Sequence, residues 1–269
     1  CNPSRNFLYD DFYLADKEGT LPYYRMFVNA TGLDNPYLSE SYIENLKRTL
    51  TTSEVNRLLL GNWESQDDPD NLVSSDDILE MYDHSINTND DDTRYISADI
   101  AFKQDGCVLF VWEGNDVIDI IKVGRNEVVL DRIKETAREY NVQTRHISYD
   151  SDGVGQFLKQ YLRSAKAIIN NGKVLKNENY INLKAQLYYK LGELIRDGKI
   201  KIKTNRFKKE LEGELLCIKR KVRGTSESKM EINSKADQKK LIGHSPDYAD
   251  AMAYKMIFEY SRGGFTSVV

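Results

Sequence analysis

The sequence predicts an α/β domain built on a mixed β-sheet with flanking helices, preceded by a shorter, mostly helical segment. Two observations lead to this fold class. Three runs rich in β-branched and aromatic residues follow one another between residues 95 and 123, and helical and strand patterns then alternate towards the end of the chain. Strands in succession, followed by such an alternation, are typical of an α/β domain whose sheet is mixed.

The first 92 residues are expected to lie outside this domain. Apolar residues recur at helical spacing in residues 39–60, which predicts two short helices. Residues 64–92 contain eleven acids and no Lys or Arg, and a solvated run so poor in apolar residues is predicted to be an exposed linker. The predicted domains are therefore residues 1–92 and residues 93–269.

The elements of the second domain follow in order. Strands are predicted at residues 95–102, 107–112 and 117–123, the last two joined by a hairpin at Gly114-Asn115. A helix at 128–140, a strand at 146–149, a helix at 156–162, a strand at 165–169 and a helix at 183–195 come next. Helices at 207–218 and 236–242 enclose a candidate hairpin of residues 219–223 and 229–233. The last helix is expected at about residues 247–261, with Ser245 as N-cap and Pro246 as its first residue.

Four aspartates at the ends of these elements are the candidate functional residues. Asp99 lies in the first strand, Asp150 ends a short strand before a Gly-Val-Gly turn, and Asp247 and Asp250 share one face of the last helix. Carboxylates that converge in this way commonly hold Mg²⁺ or Mn²⁺ for phosphodiester chemistry, because hard cations prefer oxygen ligands. The pattern therefore predicts a metal-dependent nuclease.

Each of these acids also has a simpler interpretation. Asp99 could point into water from the edge of a strand. Asp150 and Asp152 could close an Asx-turn at the start of the following helix. Asp247 could stabilise the helix dipole, although this explains Asp250, among small apolar neighbours, less well. Each signal alone is weak, and only the combination of a strand aspartate, a strand-end aspartate and a helix pair is moderately specific for a metal site.

Composition narrows the functional classes further. No apolar run approaches the roughly 18 residues of a membrane span, and three widely spaced cysteines fit a reducing compartment better than a disulfide framework or a zinc site. The net charge of −4 hides a basic segment at residues 199–240, with fourteen Lys or Arg against six acids. Such a segment is typical of a surface that binds a polyanion, or it is a solvated face of helix and strand.

Taken together, these motifs resemble the nuclease domain of tailed-phage terminase large subunits, which belongs to the ribonuclease H-like superfamily. The resemblance covers about residue 95 to the end of the chain. It rests on Asp99-Ile-Ala, Asp105-Gly106, Asp150-Ser-Asp-Gly-Val-Gly, Ser234-Lys235, Lys239-Lys240 and Ser245-Pro-Asp-Tyr-Ala-Asp250-Ala. Upstream, Asn2-Pro3 resembles the tail of the terminase ATPase coupling motif, so residues 1–92 would be a remnant of the ATPase part plus a linker. No Gly-x-x-x-x-Gly-Lys loop is present, and no ATPase activity is expected.

The resemblance implies a ribonuclease H-like fold and a two-metal-ion endonuclease that cuts concatemeric double-stranded DNA during packaging. Asp99 and Asp150 would be metal ligands, Asp247 or Asp250 or both would supply the third carboxylate, and Asp105 and Asp152 would lie further out. The residues expected to contact DNA phosphates are Lys235, Lys239, Lys240, Arg220, Lys221 and Arg223. The implied cofactors are two Mg²⁺ or Mn²⁺ ions. The implied partners are double-stranded DNA and, in a full-length protein, the portal and the small terminase subunit, in the cytoplasm of a bacterial host.

Two alternatives remain open from the sequence. The chain could be another ribonuclease H-like nuclease, such as a resolvase or transposase. It could also be a non-catalytic DNA-binding module of the packaging machinery, whose acids only cap turns and helices.

Overall fold

The computed structural model describes residues 7–49, 55, 59–63, 70–83, 91–100, 107–124, 127–221 and 228–261. It contains two compact units, one of Cys1–Pro69 with Ser74–Asp76 and one of Asp70–Val73 with Asp77–Val269. The first unit contains the helical turns Tyr9–Leu14, Ala15–Lys17 and Gly32–Asp34 and helix α1, Glu40–Thr49. Most of the second predicted helix of this segment lies outside the described residues.

A six-stranded mixed sheet forms the centre of the second unit. Its strands are β1 Arg94–Asp99, β2 Val108–Glu113, β3 Asp116–Lys122, β4 Ile147–Asp150, β5 Lys166–Ile168 and β6 Lys201–Ile202. They lie in the order β5-β4-β1-β2-β3-β6. The first three strands pair antiparallel, whereas β4 is parallel to β1, β5 to β4 and β6 to β3. The predicted mixed sheet and the hairpin at Gly114-Asn115 are confirmed.

Helices cover the sheet and continue to the end of the described chain. The α-helices are α2 Ser75–Glu80, α3 Val129–Glu139, α4 Leu183–Arg196, α5 Lys208–Cys217, α6 Lys235–Ile242 and α7 Asp247–Tyr254. A short hairpin of β7, Arg220–Lys221, and β8, Glu231–Ile232, lies between α5 and α6, as predicted. Residues 153–160 form a 3₁₀-helix, and Lys255–Phe258 continue α7 as another. No described helix is long and apolar enough to cross a lipid bilayer.

Alternation along β1 separates two apolar cores on the two faces of the sheet. Ile96 and Ala98 belong to the core that contains residues of α3, whereas Tyr95 belongs to the core that contains residues of α4 and α7. Ser97 is on the α4 and α7 side, because the indole Nε1 of buried Trp112 donates a 2.9 Å hydrogen bond to its Oγ. Asp99, two residues further on, therefore faces the layer formed by α4 and α7.

The acidic segment ahead of the sheet differs from its predicted form. Leu72, Val73, Ile78 and Met81 are all buried in the core shared with α4, and α2 forms within this segment. The expectation of an exposed linker is wrong for residues 72–81, since four of the five apolar residues in this range reach the core and only Leu79 is exposed. The domain boundary at residues 92 and 93 stays a prediction.

Candidate metal centre

The ends of two neighbouring parallel strands bring the first two aspartates together. Ala98 of β1 is paired with Tyr149 of β4, and the next residues along the two strands are Asp99 and Asp150. Adjacent strands lie about 4.8 Å apart, so the two carboxylates start from neighbouring backbone positions. Both are buried, and Asp99 is only 3% exposed. Asp99 therefore does not point into water from a strand edge.

Glycines shape the turn that follows Asp150. Gly153 has φ +59°, which favours a residue without Cβ, and a Cβ at Gly155 would lie 1.8 Å from the carbonyl oxygen of Asp150. The chain therefore folds back tightly over the end of β4. In this turn the Asp150 carboxylate accepts a 2.7 Å hydrogen bond from the backbone N–H of Asp152. It is also 3.4 Å from the amide nitrogen of Asn170 and from the hydroxyl of Tyr254.

Helix α7 supplies the other side of the site. Asp250 is 1% exposed, and its neighbours Ala249 and Ala251 are also buried. The Asp250 carboxylate accepts a 2.6 Å hydrogen bond from the hydroxyl of Tyr188, and the ammonium group of Lys184 lies 2.6 Å from Oδ1 and 2.9 Å from Oδ2. Helix α4 thus provides a hydroxyl and a cation to one buried carboxylate.

The carboxylates share one electrostatic environment. Burial raises the pKa of Asp99 well above its usual range, and the negative charges of Asp250, Asp247 and Asp150 raise it further. For Lys235, burial lowers the pKa, but attraction to the same four acids outweighs this effect and the pKa is raised. The pKa of Asp150 is also raised, mainly by burial. The four aspartates and Lys235 are therefore close enough for each charge to affect the ionisation of the others.

The chemistry of the donor atoms fits a hard divalent cation, although the side chains are not oriented around a common point as metal ligands would be. All the candidate donors are carboxylate oxygens, which Mg²⁺ and Mn²⁺ prefer. Within the described ranges, no group of three or more His, Cys, Asp or Glu side chains is arranged so that it could hold an ion. The contacts of Asp250 account for part of this absence of a preformed ion site, because its two carboxylate oxygens are already bound by Lys184 and Tyr188. An ion that used Asp250 would compete directly with the ammonium group of Lys184.

Other predicted site residues lie around this centre. Asp152 is exposed, and its carboxylate accepts a 3.0 Å hydrogen bond from the backbone N–H of Asn170. Lys235 lies at the site, 4.0 Å from Asp250. Lys239 and Lys240 are exposed on α6, and Lys240 is 4.0 Å from Asp237.

On the hairpin between α5 and α6, Arg220 is half-buried and the exposed Lys221 lies 3.6 Å from Glu231. Asp105 and Arg223 lie outside the described residues.

A cleft of about 460 Å³ opens beside Asp150 and Asp152. Its lining includes the acids Asp150 and Asp152, the cations Lys184 and Lys235, and Asn170. The cleft therefore combines metal-type donors with cations, an arrangement suited to a phosphate-bearing ligand.

Several site residues have no counterpart in the sequence prediction. Lys184 and Tyr188 are four residues apart on α4, in step with the apolar stripe, so a Lys-Tyr pair on an otherwise buried helix face could have indicated them. Tyr254 is four residues beyond Asp250 and follows the same spacing on α7. Glu214 of α5 carries no local signal at all.

Glu214 also corrects the predicted start of the last helix. The N-cap position is Pro246 rather than Ser245, and it makes no side-chain capping bond. Instead the carboxylate of Glu214 accepts a 2.9 Å hydrogen bond from the backbone N–H of Ala249. Burial raises the pKa of Glu214 to about 8, although hydrogen bonds from the backbone N–H groups of Ala249 and Tyr248 oppose this shift.

Comparison with known proteins identifies the fold. No protein-family model and no curated relative matches the chain. The nuclease domain of the large terminase subunit gp2 of bacterial virus Sf6 superimposes with a TM-score of 0.61 at 18% identity, covering 69% of this chain and 98% of that chain. A point mutant of that domain with manganese and beta-thujaplicinol, and another structure of the mutant with calcium, each give a TM-score of 0.60 at the same identity and coverage.

The topology of the sheet and its flanking helices agrees with this likeness, and the predicted ribonuclease H-like class is confirmed. The second unit of this chain has the fold of the nuclease domain of phage terminase large subunits.

Proposed function

We propose that the chain is a metal-dependent endonuclease of a phage DNA-packaging terminase, which cuts concatemeric double-stranded DNA by a two-metal-ion mechanism. The observation that carries this proposal is that β1 and β4 place the buried Asp99 and Asp150 at neighbouring strand ends, and that α7, which carries Asp247 and Asp250, packs against the same two strands. The fold shared with the Sf6 nuclease domain, which was solved with manganese, supports the same conclusion. Double-stranded DNA, the portal and the small terminase subunit would be its partners, in the host cytoplasm.

Each side chain would have a defined part in this reaction. Asp99 and Asp150 would hold the ions from the sheet, with Asp250, and Asp247 beside it, from the helix. When bound, two divalent ions lower the pKa of an attacking water and stabilise the leaving 3′ oxygen. Asp105 and Asp152 would act from further out. Lys235 would bind the phosphate next to the cleavage site.

The wider basic surface would hold the rest of the duplex. Lys239, Lys240, Arg220, Lys221 and Arg223 are proposed to contact phosphates, which gives affinity that depends on salt and little on sequence. The segment before residue 93 is proposed to connect this domain to an ATPase part. These roles depend on the proposed nuclease function.

The direct test is cleavage of supercoiled plasmid by the purified chain in Mn²⁺, in Mg²⁺ and in EDTA. Variants Asp99→Asn, Asp150→Asn and Asp250→Asn would be compared with Asp197→Asn as a matched control. Asp197 is exposed at the end of α4 and pairs with Lys199 at 3.1 Å, away from the carboxylate group. Circular dichroism and thermal melting would establish that every variant is folded.

Cleavage that needs metal, vanishes in the three site variants and persists in Asp197→Asn would support the proposal. Preference for branched over linear duplex DNA would instead favour a resolvase-type enzyme of the same fold. DNA binding without cleavage in any metal would support a non-catalytic packaging module and refute the nuclease proposal for this chain.

A further inference from the structure

Helix α7 begins without a cap from its own sequence. The first N–H groups of a helix have no partner within the helix and need acceptors from elsewhere. Pro246, at the N-cap position, offers no side-chain acceptor. The acceptor comes from α5, where Glu214 Oε2 receives the N–H of Ala249 at 2.9 Å. The first turn of α7 is therefore held by a residue of another helix.

Glu214 is buried, and the hydrogen bond from Ala249 is the main interaction that replaces the solvation of its carboxylate. The side chain is 1% exposed, and removing a carboxylate from water is costly unless hydrogen bonds replace the lost solvation. Its other oxygen, Oε1, lies 3.6 Å from Nδ1 of His244, whose side chain is half exposed. A capping acid at the surface would stabilise the helix without this cost. Because Glu214 is buried, its hydrogen bond instead joins the buried face of α5 to the first turn of α7.

The anchored N–H group lies between the two helix aspartates. Ala249 directly precedes Asp250 and follows Asp247 by two residues. The charges of Asp247 and Asp250 are also close enough to Glu214 to raise its pKa. A change in how the first turn begins would therefore move the backbone that carries both carboxylates.

We propose that Glu214 is a positioning residue, which fixes the first turn of α7 so that Asp247 and Asp250 are held in place for metal binding. This inference rests on the proposed nuclease function. It assigns to Glu214 no contact with substrate or metal. Its action is carried by the hydrogen bonds to the backbone of α7, so an acceptor at this position matters more than a negative charge.

Substitutions at Glu214 separate the acceptor from the charge. Glu214→Gln keeps an oxygen that can receive the Ala249 N–H, whereas Glu214→Met keeps the length of the side chain and has no strong acceptor. Glu210→Met is the matched control, because Glu210 lies one turn earlier on α5 and is exposed. Mn²⁺ affinity of the full chain would be measured by isothermal titration calorimetry, at a temperature far below the melting point of every variant.

Glu214→Met is expected to bind Mn²⁺ about 10- to 100-fold more weakly, the range typical when a residue that orients metal ligands is removed. Glu214→Gln and Glu210→Met are expected to bind close to the wild type. In plasmid cleavage at saturating Mn²⁺, Glu214→Met should lower kcat more than it raises KM, since the DNA-binding surface is unchanged.

A Glu214→Met protein that melts at a lower temperature but binds Mn²⁺ like the wild type would overturn the proposal and leave Glu214 a purely stabilising residue. If Glu214→Met does not fold, Glu214→Asp takes its place, because the shorter side chain keeps the charge and moves the acceptor away from Ala249. Wild-type affinity in Glu214→Asp would then refute the positioning role. Absence of Mn²⁺ binding in the wild type would instead refute the nuclease proposal, and this inference with it.

Discussion

Replacing Lys184 with Met is expected to destabilise the metal-free protein and to strengthen its response to metal. The substitution removes the ammonium group 2.6 Å from Asp250, which is 1% exposed, and leaves that carboxylate without its closest cation. Breaking a buried ion pair from one side costs about 3–5 kcal/mol. The hydroxyl of Tyr188 at 2.6 Å and the ammonium of Lys235 at 4.0 Å remain, so we expect the lower end, about 3 kcal/mol.

The same substitution removes the competitor for Asp250. A divalent ion that binds only the folded protein stabilises it by about 2.7 kcal/mol when its free concentration is a hundred times its Kd. Without Lys184 the ion no longer has to displace an ammonium group, so its Kd should fall. Mn²⁺ should then recover a large part of the stability lost in Lys184→Met, and its stabilising effect should exceed that on the wild type.

Urea unfolding in EDTA and in Mn²⁺ measures both effects. Lys190→Met is the control on the same helix, since Lys190 pairs with Glu193 at 2.6 Å and lies away from Asp250. The double variant Lys184→Met with Asp250→Asn should be more stable in EDTA than Lys184→Met alone, because no charge is then left unpaired. Equal stabilisation by Mn²⁺ in Lys184→Met and in the wild type would refute the competition between Lys184 and metal.

Three further predictions concern the turn, the basic surface and the buried acid. Gly155→Ala places a Cβ 1.8 Å from the carbonyl oxygen of Asp150, so urea unfolding should show a loss of about 1–3 kcal/mol or more. Lys239→Ala and Lys240→Ala should each lower the slope of log K for duplex DNA against log salt by about 1 in a fluorescence titration, and unchanged slopes would place DNA elsewhere. Burial raises the pKa of Glu214 from its ordinary 4.5 to about 8 in the folded protein. Between these two pH values the unfolded chain binds fewer protons than the folded protein, so the free energy of unfolding falls as pH rises. Glu214→Gln should therefore show a flatter dependence of Tm on pH between 5 and 8, and an unaltered profile would contradict the raised pKa.

Much of the fold could be predicted because its elements are long or strongly patterned. The hairpin of β2 and β3 and the helix α4 follow directly from local periodicity and from a turn that needs positive φ at Gly114. The two-residue strand β6 and the helix α2 could not, since neither is long enough to show a period. Both are stabilised by burial against residues far away in the chain.

The candidate site divides in the same way. Asp99 and Asp150 could be singled out because each ends an apolar strand, and Asp250 because it lies among small residues in the first turn of α7. Their role as metal ligands stays a prediction. Lys184 could be singled out on its helix face but not paired with Asp250, 66 residues further along the chain. Glu214 gives no local signal, and its partner Ala249 lies 35 residues further on. Local reasoning instead chose Ser245 as the cap of α7. A helix start can be satisfied by any acceptor that the fold brings near, and only tertiary structure shows which one is used.

Charge balance links these observations to the number of ions. Four carboxylates, Asp99, Asp150, Asp247 and Asp250, face two ammonium groups, so the fully ionised site carries two excess negative charges. One divalent ion neutralises that excess, whereas two would reverse it. In the proposed two-ion reaction, the second ion would therefore be favoured by the negative charge of a DNA phosphate and by withdrawal of Lys184 from Asp250.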